Sequence, residues 1–476
     1  MVEWLFAKTE TIQNKSKNCV FAFFSSSFVL HLHKFKILIM KRVVFLLVSV
    51  VLAFGVVGQD KSKKIPPVVH SKVGQEFISN DNSLKITVLT KHQNHNWNDR
   101  TTLDSDILSP KSVNVHPNGL KYYVNSLEGC KTVVYDSKTD EKIKVINHKF
   151  GGKEASLWAK PSGLYTFNPE RKSPNIFMGK PVESTFSHGG RYLWVPYYRR
   201  SYDQNAQEPS AIAIIDTTTD SIIKMMETGV LPKMVATSPD NKYVAVSHWG
   251  DNTVGIIDVS SANPEDWKYV KCVVVGYRLK LNFSENEKVD RDVHSGYCLR
   301  GTTFTPDSRY LFVGCMGGGG GLAVIDMKDI EYKGQIYGMM PNMRHIQIKD
   351  GIVNLSINNA GYIQRLPLQT LIDSIPNMKN KRITVKGWQS YKTGSGTRTL
   401  SVSPSGTFIF VACNFSSQLD VFRVSTMKKI ASIPMDSYPV GLDISPNAKR
   451  VYVTSQGRSG HGGNSVNVLK IDYLQN

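Results

Sequence analysis

Six near-copies of one hairpin, a fixed spacing inside each copy, and a second hairpin after most of them predict an all-β chain. The architecture expected is a seven-bladed β-propeller of four-stranded antiparallel blades, closed by an N-terminal strand. The copies are PKSVNVHPNGLKYYVNS (Pro110–Ser126), PVESTFSHGGRYLWVP (Pro181–Pro196), PKMVATSPDNKYVAVSH (Pro232–His248), LRGTTFTPDSRYLFVGC (Leu299–Cys315), TRTLSVSPSGTFIFVAC (Thr397–Cys413) and PVGLDISPNAKRVYVTS (Pro439–Ser455). A degenerate seventh, RHIQIKDGIVNLSIN, starts at Arg344. Pro117, His188, Pro239, Pro306, Pro404 and Pro446 hold one turn position, and a valine follows each seven residues later.

Within a copy, Val, Leu and Ile alternate with small or polar residues, the period-two pattern of a strand with one buried face. The Ser-Pro-Asp/Asn turn supplies a fixed φ at proline and a tolerant one at Gly or Asn. The second hairpins are clearest in SAIAIIDTTTDSIIKMMETG, GLAVIDMKDIEYKGQIYG and QLDVFRVSTMKKIASIP. Copies begin 42 to 71 residues apart, room for four strands each. The last copy offers three strands before Asn476. SLKITVLTK (Ser83–Lys91), just upstream of the first copy, is therefore expected to supply the missing outer strand and remove the open edge.

The second strand of the last copy ends VYVTS (Val451–Ser455), and AIIDTTTDSIIKMM accompanies an earlier one. With these segments, residues 105–475 resemble the YVTN family of β-propeller repeats. The resemblance implies the propeller fold. Its relatives include lactonase-like propellers that hydrolyse sugar lactones, and redox subunits with metals at the channel mouth.

From Met40 the chain reads MKRVVFLLVSVVLAFGVVGQD, two basic residues before an apolar run and small residues, which is the pattern of a secretory signal peptide cleaved after Gly58. An uncleaved anchor is the alternative, since the run approaches the length of a short span. The expected organisation is an upstream segment 1–39 outside the exported protein, a signal peptide 40–58, a flexible leader 59–82 and a propeller 83–476. Removing residues 1–58 takes out seven basic and two acidic residues, lowering the net charge from +19 to +14. Export makes the protein periplasmic or extracellular, and that argues against nucleic acid as the target of the charge. Five cysteines follow the signal, Cys130, Cys272, Cys298, Cys315 and Cys413, an odd number in an oxidising compartment.

Lys111, Lys233, Arg300, Arg344 and Arg398 stand at the start of the innermost strands of five blades. Loops between second and third strands add Arg199, His248, Arg458 and His461 on the same face. A channel mouth lined by one sign of charge focuses an anion, and arginine grips carboxylate or phosphate with two donors. Loop solvation or bridging between blades is the other explanation for each residue alone. Cys298 and Cys315, nearly opposite in one hairpin, are the disulfide candidates; Cys315, Cys413 and His248 or His294 are the metal candidates, without compact ligand spacing. CMGGGGGLAVID (Cys315–Asp326) lacks the following helix that a phosphate loop needs. Asp216, Asp258 and Asp326 end third strands and read as turn caps. Trp194, Trp249, Trp388, Tyr197 and Tyr198 could line a groove or fill the core.

The sequence thus predicts an exported, monomeric, non-catalytic scaffold, with no cofactor, whose basic mouth takes an anionic small molecule or another exported protein. The alternative is a lactonase-like hydrolase or a metal- or redox-associated subunit. A hydrolase needs a base near the mouth arginines, for which His248, His294 and His461 are the candidates.

Overall fold

The computed structural model describes residues 68–94, 103–165, 177–200, 203, 208–280, 289–378, 382–457 and 462–474, all within the unit Pro66–Asn476. The expected upstream segment, signal peptide and residues 59–67 lie outside the described residues. Among those described, the strands form seven sheets, and each contains one repeat copy as its inner hairpin. Blade 3 shows the plan: Pro232–Thr237, Tyr243–His248, Thr253–Asp258 and Lys268–Val274 pair antiparallel in sequence order.

The repeated turn works as its residues imply. In blade 3 Ser238 Oγ donates to Asp240 Oδ1 (2.6 Å) and accepts from Tyr243 N (2.9 Å), while Asn241 takes a positive φ of 56°. Thr305, Asp307 and Tyr310 repeat these contacts in blade 4, with Ser308 at φ 60°. The third-strand acids are caps: Asp216, Asp258 and Asp326 each accept a backbone N–H two residues on.

The expected closure is present. Leu84–Gln93 pairs antiparallel with Ser465–Tyr473 and becomes the outer strand of the blade built on Pro439–Ile444 and Arg450–Ser455. Glu76–Ile78 adds a fifth strand outside it. The leader expected to be flexible through residue 82 is therefore fixed where it is described. Ser71 is buried, with its N–H donating to Asp436 Oδ1 (2.9 Å), and Val69 N donates to Ser437 Oγ (2.7 Å).

Three additions carry no repeat signature. Phe177–Pro181 and Lys149–Phe150 extend the second sheet. A short helix, Leu368–Ser374, buries Leu368 and Leu371 between the third and fourth strands of blade 5. Arg382–Thr384 pairs parallel to the outer strand of blade 4. Among the described residues no helix is long and apolar enough to cross a membrane.

Candidate functional site

Residues from the inner-strand segments of all seven blades line one cavity, and six of the inner strands begin with the same irregularity. Register shifts between Pro110 and Ser112, Pro232 and Met234, Leu299 and Thr302, Met343 and His345, Thr397 and Leu400, and Pro439 and Gly441. A bulge of this kind re-aims the side chain it carries. The bulged segments hold Lys111, Lys233, Arg300, Arg344 and Arg398, with Val440 in the last blade. A latch from the preceding blade fixes several of them. Ser247 Oγ donates to the Arg300 carbonyl (3.3 Å), Ser356 Oγ to that of Arg398 (2.5 Å) and Thr454 Oγ1 to that of Lys111 (3.4 Å). In blade 2 the Asn125 amide makes the same contact to Val182 (3.2 Å), and the charged residue there is the next one, Glu183.

The five sequence-predicted cations are brought together. Burial drives the Lys111 amine well down, and the charges of Arg398 and Arg300 push it further. Lys233 is lowered by burial and then by Arg300, Arg199, Arg344 and Arg398. Arg344 falls to about 8 through burial and the fields of Arg398 and Arg300; Arg398 falls to about 10 through burial and Arg300. The side chains of Arg300 and Lys233 are only 6% and 11% exposed. The Nε atoms of Arg300 and Arg344 are buried without a hydrogen-bond partner.

Two carboxylates reach this group. Glu183 Oε1 lies 3.5 Å from an Arg300 nitrogen. Asp292, from the connection between blades 3 and 4, pairs with Arg199 (2.8 Å) and Lys233 (3.0 Å) and accepts from the Tyr198 hydroxyl. Burial raises the Asp292 carboxyl even though Lys111 and Arg300 oppose that. Lys233 also lies 3.9 Å above the Tyr198 ring and 4.7 Å above Trp249, contacts that stabilise a desolvated ammonium. Six cations thus meet two carboxylates, four formal positive charges in excess.

That cavity, of about 520 Å³, lies toward the turn end of the inner strands. Its wall carries Ser112, Ser184, Thr185, Thr237, Thr302, Thr303 and Thr399, with Asn114 and His345. The His345 Nδ1 is buried and unpartnered, and burial with the Arg300 charge lowers its pKa to about 4, keeping the imidazole neutral.

The remaining candidates separate. His248, Cys315 and Cys413 do hold equivalent ends of second strands, but each faces its own blade. His248 is hydrogen-bonded to Thr253 Oγ1 (2.9 Å), Cys315 Sγ meets Gln335 Nε2 (3.3 Å) and Cys413 Sγ meets Asp420 Oδ2 (3.7 Å). Among the described residues no three His, Cys, Asp or Glu side chains are placed to hold a metal. The expected Cys298–Cys315 disulfide is not formed, and both are free thiols. The register sets Leu299, not Cys298, opposite Cys315; Cys298 takes φ 53° and turns its Sγ to the Ser295 carbonyl (2.7 Å). His294 is exposed on the blade 3–4 connection, its Nδ1 accepting from Asp290 N. Arg458 and His461 lie outside the described residues. Trp194 and Tyr197 are core, while Tyr198 and Trp249 belong to the mouth.

Sequence reasoning missed Glu183, Asp292 and His345. Glu183 and His345 each stand one residue past the aligned position and could have been found there. Asp292 lies outside any repeat and carries no such signal.

No family model matches this chain, and none of the curated proteins does. Among solved structures, Kuenenia stuttgartiensis hydrazine synthase is similar over 79% of this chain and 99% of its own, at 11% identity and a TM-score of 0.53. The β-propeller domain of Myceliophteria thermophila Cps50 (Swd1) is similar over 76% and 96%, at 10% identity and 0.51. A chain of a mitotic checkpoint complex is similar over 79% and 92%, at 11% identity and 0.50. Likeness at such identity establishes the fold alone. The chain is a seven-bladed β-propeller.

Proposed function

We propose that this chain is an exported, non-catalytic propeller scaffold whose channel mouth holds an anionic ligand or an anionic part of a partner. One observation carries the reading: six cations converge on two carboxylates, with guanidinium nitrogens of Arg300 and Arg344 buried and unpartnered. Uncompensated buried charge is costly, so an external anion is the group that completes this site. The propeller fold and the YVTN-like repeats support a binding role, and the assembly to which the checkpoint neighbour belongs supports a protein partner. Export rests on the Met40–Gly58 pattern. The hydrolase alternative gains nothing from His248, enclosed in its blade, or from His294, out on a connecting loop.

The test is thermal melting of the protein with and without citrate at constant ionic strength. Citrate is expected to raise the melting temperature, and the double variant Arg300→Glu, Arg398→Glu to lose that shift while melting near the wild-type temperature without citrate. An equal shift in the variant removes the mouth as the site.

A further inference from the structure

The mouth is divided, and the division points to the kind of anion it takes. On one side Asp292 joins Arg199 and Lys233, with the Tyr198 hydroxyl donating to the same carboxylate and Trp249 Nε1 to the Asp292 carbonyl (3.3 Å). Those two cations already have a carboxylate between them. On the other side stand Lys111, Arg300, Arg344 and Arg398, among which the one direct ion pair is Arg300 with Glu183 at 3.5 Å; Asp292 reaches Lys111 and Arg300 only through its field. Three formal positive charges remain there in excess, close enough to depress one another's protonation.

We propose, resting on the anion-binding reading above, that the occupant is a compact polyanion. It carries about three negative charges on carboxylates or phosphates within one small molecule, and it is held by Lys111, Arg300, Arg344 and Arg398. Asp292 is a tethered counter-ion that keeps the other half of the mouth from it. Size and polarity agree. The Arg300 and Arg398 side chains are buried inside the channel, where a folded protein surface does not reach. The cavity of about 520 Å³ toward the turn end of the strands is lined by Glu183 and by hydroxyls such as those of Ser112 and Thr302, and by none of the four cations. It offers room for a polar body of small-molecule size next to the charged set, not around it. A single-charge anion leaves two guanidinium or ammonium groups still repelling each other; three charges on a short frame neutralise the set. The Nε atoms of Arg300 and Arg344 supply donors that nothing in the protein uses.

The experiment is isothermal titration of the full chain at pH 7 and fixed ionic strength with two series, acetate, succinate and citrate, then phosphate, pyrophosphate and tripolyphosphate. Hexaglutamate is the competitor. Affinity is expected to climb by about tenfold per added charge in at least one series, and the steeper series names carboxylate or phosphate as the source. Asp292→Asn is expected to tighten the highest-charge probe about tenfold, and Lys111→Met, which removes no existing ion pair, to weaken it by a similar factor. Equal affinities along both series, still lost in Arg300→Glu, Arg398→Glu, overturn the polyanion inference and leave the anion reading standing. Hexaglutamate binding more tightly than either trianion overturns it in favour of an acidic chain segment. Binding of every probe that ignores both arginine substitutions, or no binding at all, overturns the anion reading itself.

Discussion

Two buried charge clusters in this propeller are built on opposite principles. At the ring closure, Lys91 and Asp436 pair at 3.1 Å with side chains 7% and 0% exposed. Every bond there has an answer: Asp436 also accepts from Ser71, Ser465 and Asn467, and Lys91 donates to the Ser71 carbonyl. At the channel mouth, six cations share two carboxylates and two guanidinium Nε atoms have no partner. The first cluster joins the N-terminal strand region to the last two blades and is complete in itself. The second has no such internal completion, and the proposed anion would supply it.

The largest effect should come from the closure. Asp436→Ala leaves the Lys91 ammonium buried without a counter-charge, its remaining partner the neutral Ser71 carbonyl, and about 3–5 kcal/mol of unfolding free energy is expected to disappear in urea titration. A loss below about 1 kcal/mol would erase the contrast with the mouth. Next in size is an acid sensitivity spread over the blades. Burial pushes His92 and His345 to about 4 and His148 and His248 to about 3. These are depressed bases, so the unfolded chain takes up protons below about 6.5 that the folded one refuses, and stability falls with pH. Asp251 and Asp443, raised by burial to about 6, act in the opposite sense between 6 and 3.8 and recover part of it. The balance, about two protons, is on the order of 3 kcal/mol lost per pH unit near pH 5.5; stability that is flat from pH 7 to 5 in denaturant melts contradicts it.

The mouth should also couple ligand to protons. Burial and the charges of Arg398 and Arg300 hold the Lys111 amine well below the usual lysine range, and a bound anion favours its charged form, so binding takes up protons. Calorimetry in two buffers of different ionisation enthalpy reads that uptake, and equal enthalpies would exclude it. The smallest effect expected is on the stability of the empty protein. Arg398→Met removes a repelling charge and no ion pair, so denaturant midpoints should move by about 1 kcal/mol or less, in contrast to Asp436→Ala.

Much of this fold was legible because one hairpin recurs. Ser-Pro-Asp turns, valine offsets and a last blade short of one strand led to seven blades and to Ser83–Lys91 as the closing strand, which the structure forms as Leu84–Gln93. The five bulge cations aligned for the same reason, and the structure gathers them. What escaped has local physical causes. Cys298 looked opposite Cys315, but a bulge in its blade shifts the register and a left-handed backbone turns its thiol away. Residues 59–82 looked like a leader on the strength of KSKKIPP at its start; in its described part, Ser71 bonds to Asp436 and Glu76–Ile78 pairs as an added edge strand. Asp292 sits in a connection with no repeat to compare, and only three-dimensional proximity to Arg199 and Lys233 reveals it.

The most direct test is a crystal structure of the protein grown with tripolyphosphate or citrate. The anion is expected between Arg300, Arg344, Arg398 and Lys111, within hydrogen-bond distance of at least two of them. A mouth that holds only water at saturating anion, with the arginines in the same positions, would contradict the claim that it is a binding site.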